Sequence, residues 1–191
     1  NTPDILSGPL RHGPPAAFRI RFVLAATLVP SYGIYSGYEL CENEPASDTN
    51  EEYLHSEKYE IRPRTPAAGA LRELIARVNL IRREHPALQH DRTLRFHPVD
   101  GDQLLAYSKT LPDGKDPVVV VVNLDPVHPR SGWVDLRLPE LGMAWDAPFT
   151  ARDLLGGETF SWTGARNFVE LHPGHQPGHV LAIEPGEGRT P

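Results

Sequence analysis

Sulfur, long apolar runs and positive charge are all scarce in this sequence, and each shortage removes a class of function. The 191 residues include one cysteine, Cys41, and one methionine. A lone thiol closes no internal disulfide, so stability has to come from a packed core, and a reducing, cytoplasmic setting is expected. Cys41 itself reads as a small half-buried residue rather than a nucleophile. No apolar run approaches the roughly 18 residues that would cross a bilayer, and the first residues lack the charged-then-apolar pattern of a leader. Lysine and arginine number 19 against 25 aspartates and glutamates, a formal charge of -6. That balance gives no footprint for nucleic acid or an anionic membrane.

Familiar motifs are missing too. There is no glycine-rich phosphate loop and no Gly-x-Ser-x-Gly elbow. The nine histidines are scattered. The densest group, His172, His175 and His179, lacks the helical spacing of zinc ligands and reads as a polar hairpin between strands, so no metal or other cofactor is expected. The chain begins at Asn1 rather than Met, and Asn-Thr-Pro-Asp-Ile-Leu is a poor domain start, so a C-terminal portion of something larger is expected.

The stretch that organises the rest runs from Phe22 to Glu39. Phe18, Ile20, Phe22, Val23, Leu24 and Leu28 give a helix over 18–28 a wide apolar face, and Pro30 stops it. Gly33-Ile34-Tyr35-Ser36 is too short for a second helix and predicts a buried strand, released into a loop by Gly37. A helix feeding such a strand is half of a βα repeat. Residues just past a barrel strand lie on the face where chemistry happens, which makes Ser36, Tyr38 and Glu39 candidate rim positions, against a packed strand with an ordinary polar exit. Residues 39–64 form a long acidic connection, an elaborated active-site loop or a solvated spacer. Thr65 and Pro66 then open a helix as cap and first residue. Leu71, Leu74, Ile75, Val78 and Ile81 recur at helical spacing opposite Arg72, Arg77, Arg82 and Arg83, until His85-Pro86 ends the pattern.

Past Gln89 the period changes. Short β-rich runs at 93–97, 103–109, 118–124, 133–138, 149–154 and 179–183 are punctuated by Asp-Gly and Gly-Gly turns. Six or seven such strands make an antiparallel sandwich. Val118 to Val122 is apolar throughout and should be central, whereas Val134, Leu136 and Leu138 alternate with Asp135 and Arg137 as in a half-buried strand. The expected fold is thus the last repeats of a (β/α)8 TIM barrel over 1–89, an antiparallel β-sandwich over 90–185, and a tail at 186–191.

Three residues stand out chemically. Asp4 follows Asn1-Thr2-Pro3 at the mouth of a strand, where a carboxylate is commonly a turn cap. Lys58 and Tyr59, inside the long loop, offer a fixed charge and an aromatic plate suited to sugar hydroxyls, or plain surface. Trp133, Trp145 and Trp162 sit among apolar neighbours and read as core or interface residues, with stacking on sugar rings as the alternative.

Asn1-Thr-Pro-Asp-Ile-Leu6, Ala25-Ala-Thr-Leu-Val-Pro-Ser-Tyr-Gly-Ile-Tyr-Ser-Gly-Tyr-Glu39 and Glu57-Lys-Tyr-Glu60 together resemble the C-terminal third of the α-amylase superfamily enzymes that transfer maltosyl units from α-maltose 1-phosphate to α-1,4-glucans. Ordinary amylases have Asn-His-Asp where this chain has Asn1-Thr2-Pro3-Asp4. The resemblance spans essentially the whole chain and implies a retaining transfer with no cofactor. It makes Asp4 the carboxylate that steadies the transition state and Lys58 and Tyr59 the pair that holds the donor. The nucleophilic Asp and the acid/base Glu would lie upstream, outside these residues, so this chain alone would transfer nothing. The implied partners are the α-maltose 1-phosphate donor, an α-1,4-glucan or maltooligosaccharide acceptor, and a second copy in a homodimer. The alternative is that the sandwich is a glucan-binding or packing module of another superfamily hydrolase, without catalysis of its own.

Overall fold

A computed structural model describes residues 1–6, 8–65 and 70–186 of the chain. Two helices, α1 (Pro15–Leu28) and α2 (Ala70–Glu84), lie against one face of a six-stranded antiparallel sheet, and a two-stranded sheet covers the other face. Between the helices a small hairpin, β1 (Pro45–Ser47) and β2 (Asn50–Tyr53), occupies the long polar connection. The strands that follow are β3 (Arg95–His97), β4 (Leu104–Lys109), β5 (Val118–Asn123), β6 (Arg130–Asp135), β7 (Pro148–Asp153), β8 (Thr159–Thr163), β9 (Arg166–Leu171) and β10 (Gly178–Pro185). The large sheet runs β3-β4-β5-β10-β7-β8, and β6 pairs with β9 in the small one. No helix among the described residues is long and apolar enough to cross a membrane.

β5 shows why the layers come in this order. All six of its residues are buried. Val119 and Val121 point into the sandwich core with Val134, Leu136, Val169 and Leu181, whereas Val118, Val120 and Val122 point the other way, toward Ile20, Val23 and Ile81 of the helices. Alternate side chains of a strand face opposite sides, so an unbroken valine run requires cover on both. The expected alternation at Val134, Leu136 and Leu138 is present, with all three buried. Residues 159–163 and 166–171, which had no place in the expected strand set, form β8 and β9. Their patterns, half-exposed alternation in β8 and strict out-in alternation in β9, carry too many polar residues to stand out beside the valine run.

α1 begins earlier than expected, with Pro15 at its first position, where a missing N–H costs nothing. It is apolar almost all round because it is covered on two sides: Ile20 and Val23 meet the sheet, and Phe18, Phe22 and Ala26 meet Leu71, Val78 and Tyr38. Two expectations need correction here. Arg82 does not sit on the solvent face of α2; it is 9% exposed. Its guanidinium donates to the carbonyls of Ala26, Val29 and Pro30, which satisfies acceptors at the C-terminal end of α1, and to that of Leu88 in the turn after α2. Gly33–Ser36 is not a buried strand: residues 31–35 carry no assigned ladder and Ile34 is 40% exposed, because no neighbouring strand flanks the segment among the described residues. Of the two readings of the connection over 39–64, the hairpin that folds within it disfavours the bare spacer. Pro66 and residues 187–191, to which a helix start and a tail were assigned, lie outside the described residues. Gly186 is tied in through its N–H to the Pro148 carbonyl at 3.0 Å.

His97 on β3 is buried, with Nε2 donating to Ser108 Oγ at 2.8 Å and Nδ1 accepting from the Arg137 N–H at 3.3 Å. Burial lowers its pKa from 6.5 to about 4, Glu140 opposing and Arg137 assisting. A base depressed in the folded state is protonated first in the unfolded chain. Stability should therefore fall as pH drops from about 6.5 to about 4, by about 3 kcal/mol in total, and level off below. Denaturation midpoints across that range should show this slope, and His97→Gln should flatten it.

Candidate functional site

The first six residues are held by a turn and by the hairpin. Thr2 Oγ1 accepts from the backbone N–H groups of Asp4 (3.3 Å) and Ile5 (3.0 Å), a local hydroxyl turn for which Thr-Pro-Asp is suited. The Leu6 N–H donates to the Glu51 carbonyl at 2.6 Å, Ser56 Oγ donates to the Pro3 carbonyl at 2.9 Å, and Asn1 Nδ2 donates to Tyr53 Oη. Leu6 is fully buried beside Phe18 and Tyr53, so an apolar anchor fixes what the hydrogen bonds orient. Burial pushes the Tyr53 phenol up to about 12, and the bond from Asn1 opposes that rise only partly.

This anchoring brings Asp4 to Lys58. Asp4 Oδ1 lies 3.2 Å from Lys58 Nζ, and Glu52 Oε1 of β2 lies 3.1 Å from the same ammonium. Lys58 Nζ also sits 5.2 Å from the centroid of the Tyr59 ring, itself 72% exposed. Hydrogen bonds to Glu52, Tyr59 and Asp4 raise the Lys58 pKa, so the ammonium stays charged. Two carboxylates, a cation and an open aromatic face thus share one patch. Such a set can grip vicinal hydroxyls from several directions while its charges hold one another in place. Asp4, Lys58 and Tyr59, named from the sequence, are together here.

Around the patch the long loop is clamped by ions. Arg64 Nε donates to both oxygens of Glu42, at 3.2 and 3.1 Å, and Arg64 Nη1 lies 2.8 Å from Glu57. The same guanidinium stacks 5.5 Å from the Tyr35 ring centroid, and Tyr35 packs on Tyr53 at 5.7 Å. Hydrogen bonds from Tyr35 and Arg64 lower the Glu57 carboxyl. Glu52, Ser56, Glu42 and Arg64 went unrecognised in the sequence. The Ser47-Asp48-Thr49-Asn50 turn cluster was the available signal for the hairpin that carries Glu52.

The other candidates are placed differently. Tyr38 is core rather than rim: it is 8% exposed and donates to the Phe18 carbonyl at 2.6 Å. Glu39 Oε2 accepts from the Gly37 N–H at 3.1 Å, and Ser36 is exposed. Cys41 is half-buried and its thiol is pushed up by burial, which suits no nucleophile. Among the described residues no group of three or more histidine, cysteine or acidic side chains could hold a metal ion. Trp133 (43%) and Trp145 (62%) are exposed, not core as expected, because β6 turns one face to solvent and Trp145 lies in a loop; Trp162 is half-buried.

Residues 96–183 match the family described as "GLGE, C-terminal". Over 188 residues the chain is 50% identical to α-1,4-glucan:maltose-1-phosphate maltosyltransferase 1 of Streptomyces coelicolor, a match covering 96% of this chain and 27% of that protein. The protein of the same name from Mycobacterium tuberculosis H37Rv is 45% identical over 186 residues, 95% of this chain and 26% of its own length. The chain is thus similar to part of these maltosyltransferases. It spans about a quarter of the length of the curated relatives it matches. Among solved structures, AmyP in complex with maltose aligns with a TM-score of 0.67 at 16% identity, over 100% of this chain and 41% of that one. The noncanonic maltogenic α-amylase AmyB of Thermotoga neapolitana aligns with 0.65 at 11% identity, over 96% and 40%. At those identities the likeness shows the fold alone. The maltosyltransferase matches cover 95–96% of the chain, so they extend well beyond residues 96–183.

Gly37 tests how tightly the clamp holds. Its φ is +92°, and a Cβ there would lie 2.2 Å from Glu42 Oε2 and 2.7 Å from Arg64 Nε. Gly37→Ala should destabilise the protein by about 1–3 kcal/mol through backbone strain and displacement of the Glu42–Arg64 pair. Limited proteolysis should then cut faster within 42–64 than in the parent.

Proposed function

We propose that this chain is the C-terminal portion of a retaining glycosyltransferase. The full protein moves maltosyl units from α-maltose 1-phosphate to the non-reducing ends of α-1,4-glucans and releases phosphate. The observation that carries the reading is the 3.2 Å pairing of Asp4 with Lys58, which joins a turn at one end of the chain to the long loop fifty residues on. In this reading residues 1–89 complete a (β/α)8 barrel whose earlier strands lie upstream, and the half-exposed segment 31–35 becomes a barrel strand once its neighbours are present. The open cleft of about 390 Å³ that Phe22, Leu28, Tyr32 and Ile34 line is the apolar surface such neighbours would cover. The full protein is read as a cytoplasmic homodimer.

The chemistry assigned to these residues follows from charge. Transfer breaks the bond between the anomeric carbon and phosphate through an oxocarbenium-like state, forms a bond to an upstream carboxylate, and then passes the sugar to an acceptor hydroxyl. Asp4 places a negative charge beside the developing positive one and accepts hydrogen bonds from sugar hydroxyls, which tighten as that charge grows. Lys58 donates to the donor sugar, and Tyr59 offers its ring as a plate. Glu52 shares the ammonium, so Lys58 stays aimed at the patch when Asp4 turns to substrate.

In the full-length protein, Asp4→Asn should cut the turnover of α-maltose 1-phosphate by about 10²–10³-fold with a small change in donor affinity, because the interaction is strongest in the transition state. Phosphate release measures both, and unchanged turnover would remove Asp4 from the site. Lys58→Ala should raise the donor KM about tenfold with a smaller effect on kcat, and an unaltered donor KM would count against its role.

A further inference from the structure

Where the two sheets of the sandwich part, between β8 and β9, a second open cleft of about 450 Å³ is built from residues that the Asp4–Lys58 patch does not use. Each of these strands pairs on one side only among the described residues, β8 with β7 and β9 with β6. One wall carries Phe160 and Trp162, two positions apart on the same face of β8. Their rings are stacked, with centroids 6.0 Å apart and planes within 23°. The opposite wall and the rim carry Glu170, His172 and His175, all exposed.

The floor is a preorganised polar group. His179 is 6% exposed, and its Nδ1 lies 3.0 Å from both Asp153 Oδ2 and Gln176 Nε2. The Asp153 carboxylate is itself buried and pinned by the N–H groups of Leu155 (3.1 Å), Gly156 (3.0 Å) and Val180 (3.2 Å), and by the Gln176 side chain. Burial opposes ionisation of Asp153, but the bonds from His179 and the backbone outweigh it and hold the carboxyl below its usual range. With Nδ1 turned to the Asp153–Gln176 pair, the ring is oriented, and Nε2 has no hydrogen-bond partner among the described residues. A histidine oriented by a buried carboxylate at the floor of a cleft is a hydrogen-bonding group set for something that enters.

We infer that this cleft binds a stretch of α-1,4-glucan chain. Stacked aromatic plates beneath a fringe of carboxylate, imidazole and amide groups suit a flat-faced, neutral polyhydroxylated ligand. Glu158 and Glu170 lie in the lining and no lysine or arginine does, which disfavours a polyanion. The choice of an α-glucan among neutral sugars rests on the proposed transferase reading. A polymer acceptor held here stays with the protein while its free end is extended.

Full-length protein and glycogen co-sedimentation test the site, with phosphate release on maltotetraose as a separate readout of the reaction. Glu170→Gln with His175→Ala, both exposed, should weaken glycogen retention about threefold, and Trp162→Ala about tenfold, with Trp162→Phe restoring most of it. Turnover on maltotetraose should stay at the parent value in each. Trp162 also packs edge-on against Phe149 at 5.9 Å, so if Trp162→Ala loses its cooperative melt the exposed double variant decides. Parental glycogen retention in the folded variants overturns the inference. Retention that falls in the variants of a protein unable to transfer maltosyl units would leave the cleft standing and remove the transferase reading, while intact transfer with unaltered retention removes the cleft alone.

Discussion

A single strand with no solvent-facing side sets the geometry of the rest. Because β5 buries both of its faces, the helices and the small sheet must each supply an apolar wall, and their positions are fixed against the same backbone. Burying a valine side chain fully is worth about 1.5–3 kcal/mol, so the five valines stabilise both layers at once. α1 passes that order outward. Its far face seats Leu6, Tyr38 and Tyr53, and through Leu6 and Tyr53 it seats the N-terminal turn and the hairpin that bring Asp4 to Lys58. The candidate site is therefore a surface feature with its foundation in the sheet.

Polar groups inside the layered core do specific jobs, and one exacts a visible cost. Arg82 reaches from α2 to the end of α1 and answers several carbonyls at once, so the two helices are joined by a charge as well as by packing. Lys109, at the end of β4, is 1% exposed and its Nζ has no hydrogen-bond partner among the described residues. Burial lowers its pKa to about 8, with the Arg82 charge adding to the effect and Asp91 opposing it. A buried ammonium without a partner is unfavourable, and the surrounding apolar contacts must offset it.

Legibility in the sequence tracked how each segment is stabilised. The valine run, the helical spacing of Leu71 to Ile81 and the alternation around Val134 are periodic signals produced by burial, and burial is what placed them. β8, β9 and the β1–β2 hairpin are short and polar; tertiary contacts decide them, and no window of sequence holds those contacts. Gly33–Ser36 failed for the opposite reason: its composition is that of a strand, but among the described residues no strand lies beside it to pair with. At the candidate site, Asp4, Lys58 and Tyr59 were singled out through resemblance, and the structure brings these three side chains together. Glu52 and the Arg64–Glu42 clamp depend on a chain reversal at Asp48-Thr49 that brings distant acidic and basic residues together.

The two margins of the large sheet are guarded unequally. β3 spans three residues and carries the exposed Arg95, so that side offers a docking strand little backbone and a charge in its path. β8 is longer, and the short turn into β9 leaves its open flank beside the aromatic cleft. Of the two margins of the large sheet, the β8 side is thus the one more open to cross-chain strand pairing, the usual hazard of a β-rich fold. A bulky polymer resting there would shield the flank as well as being held by it.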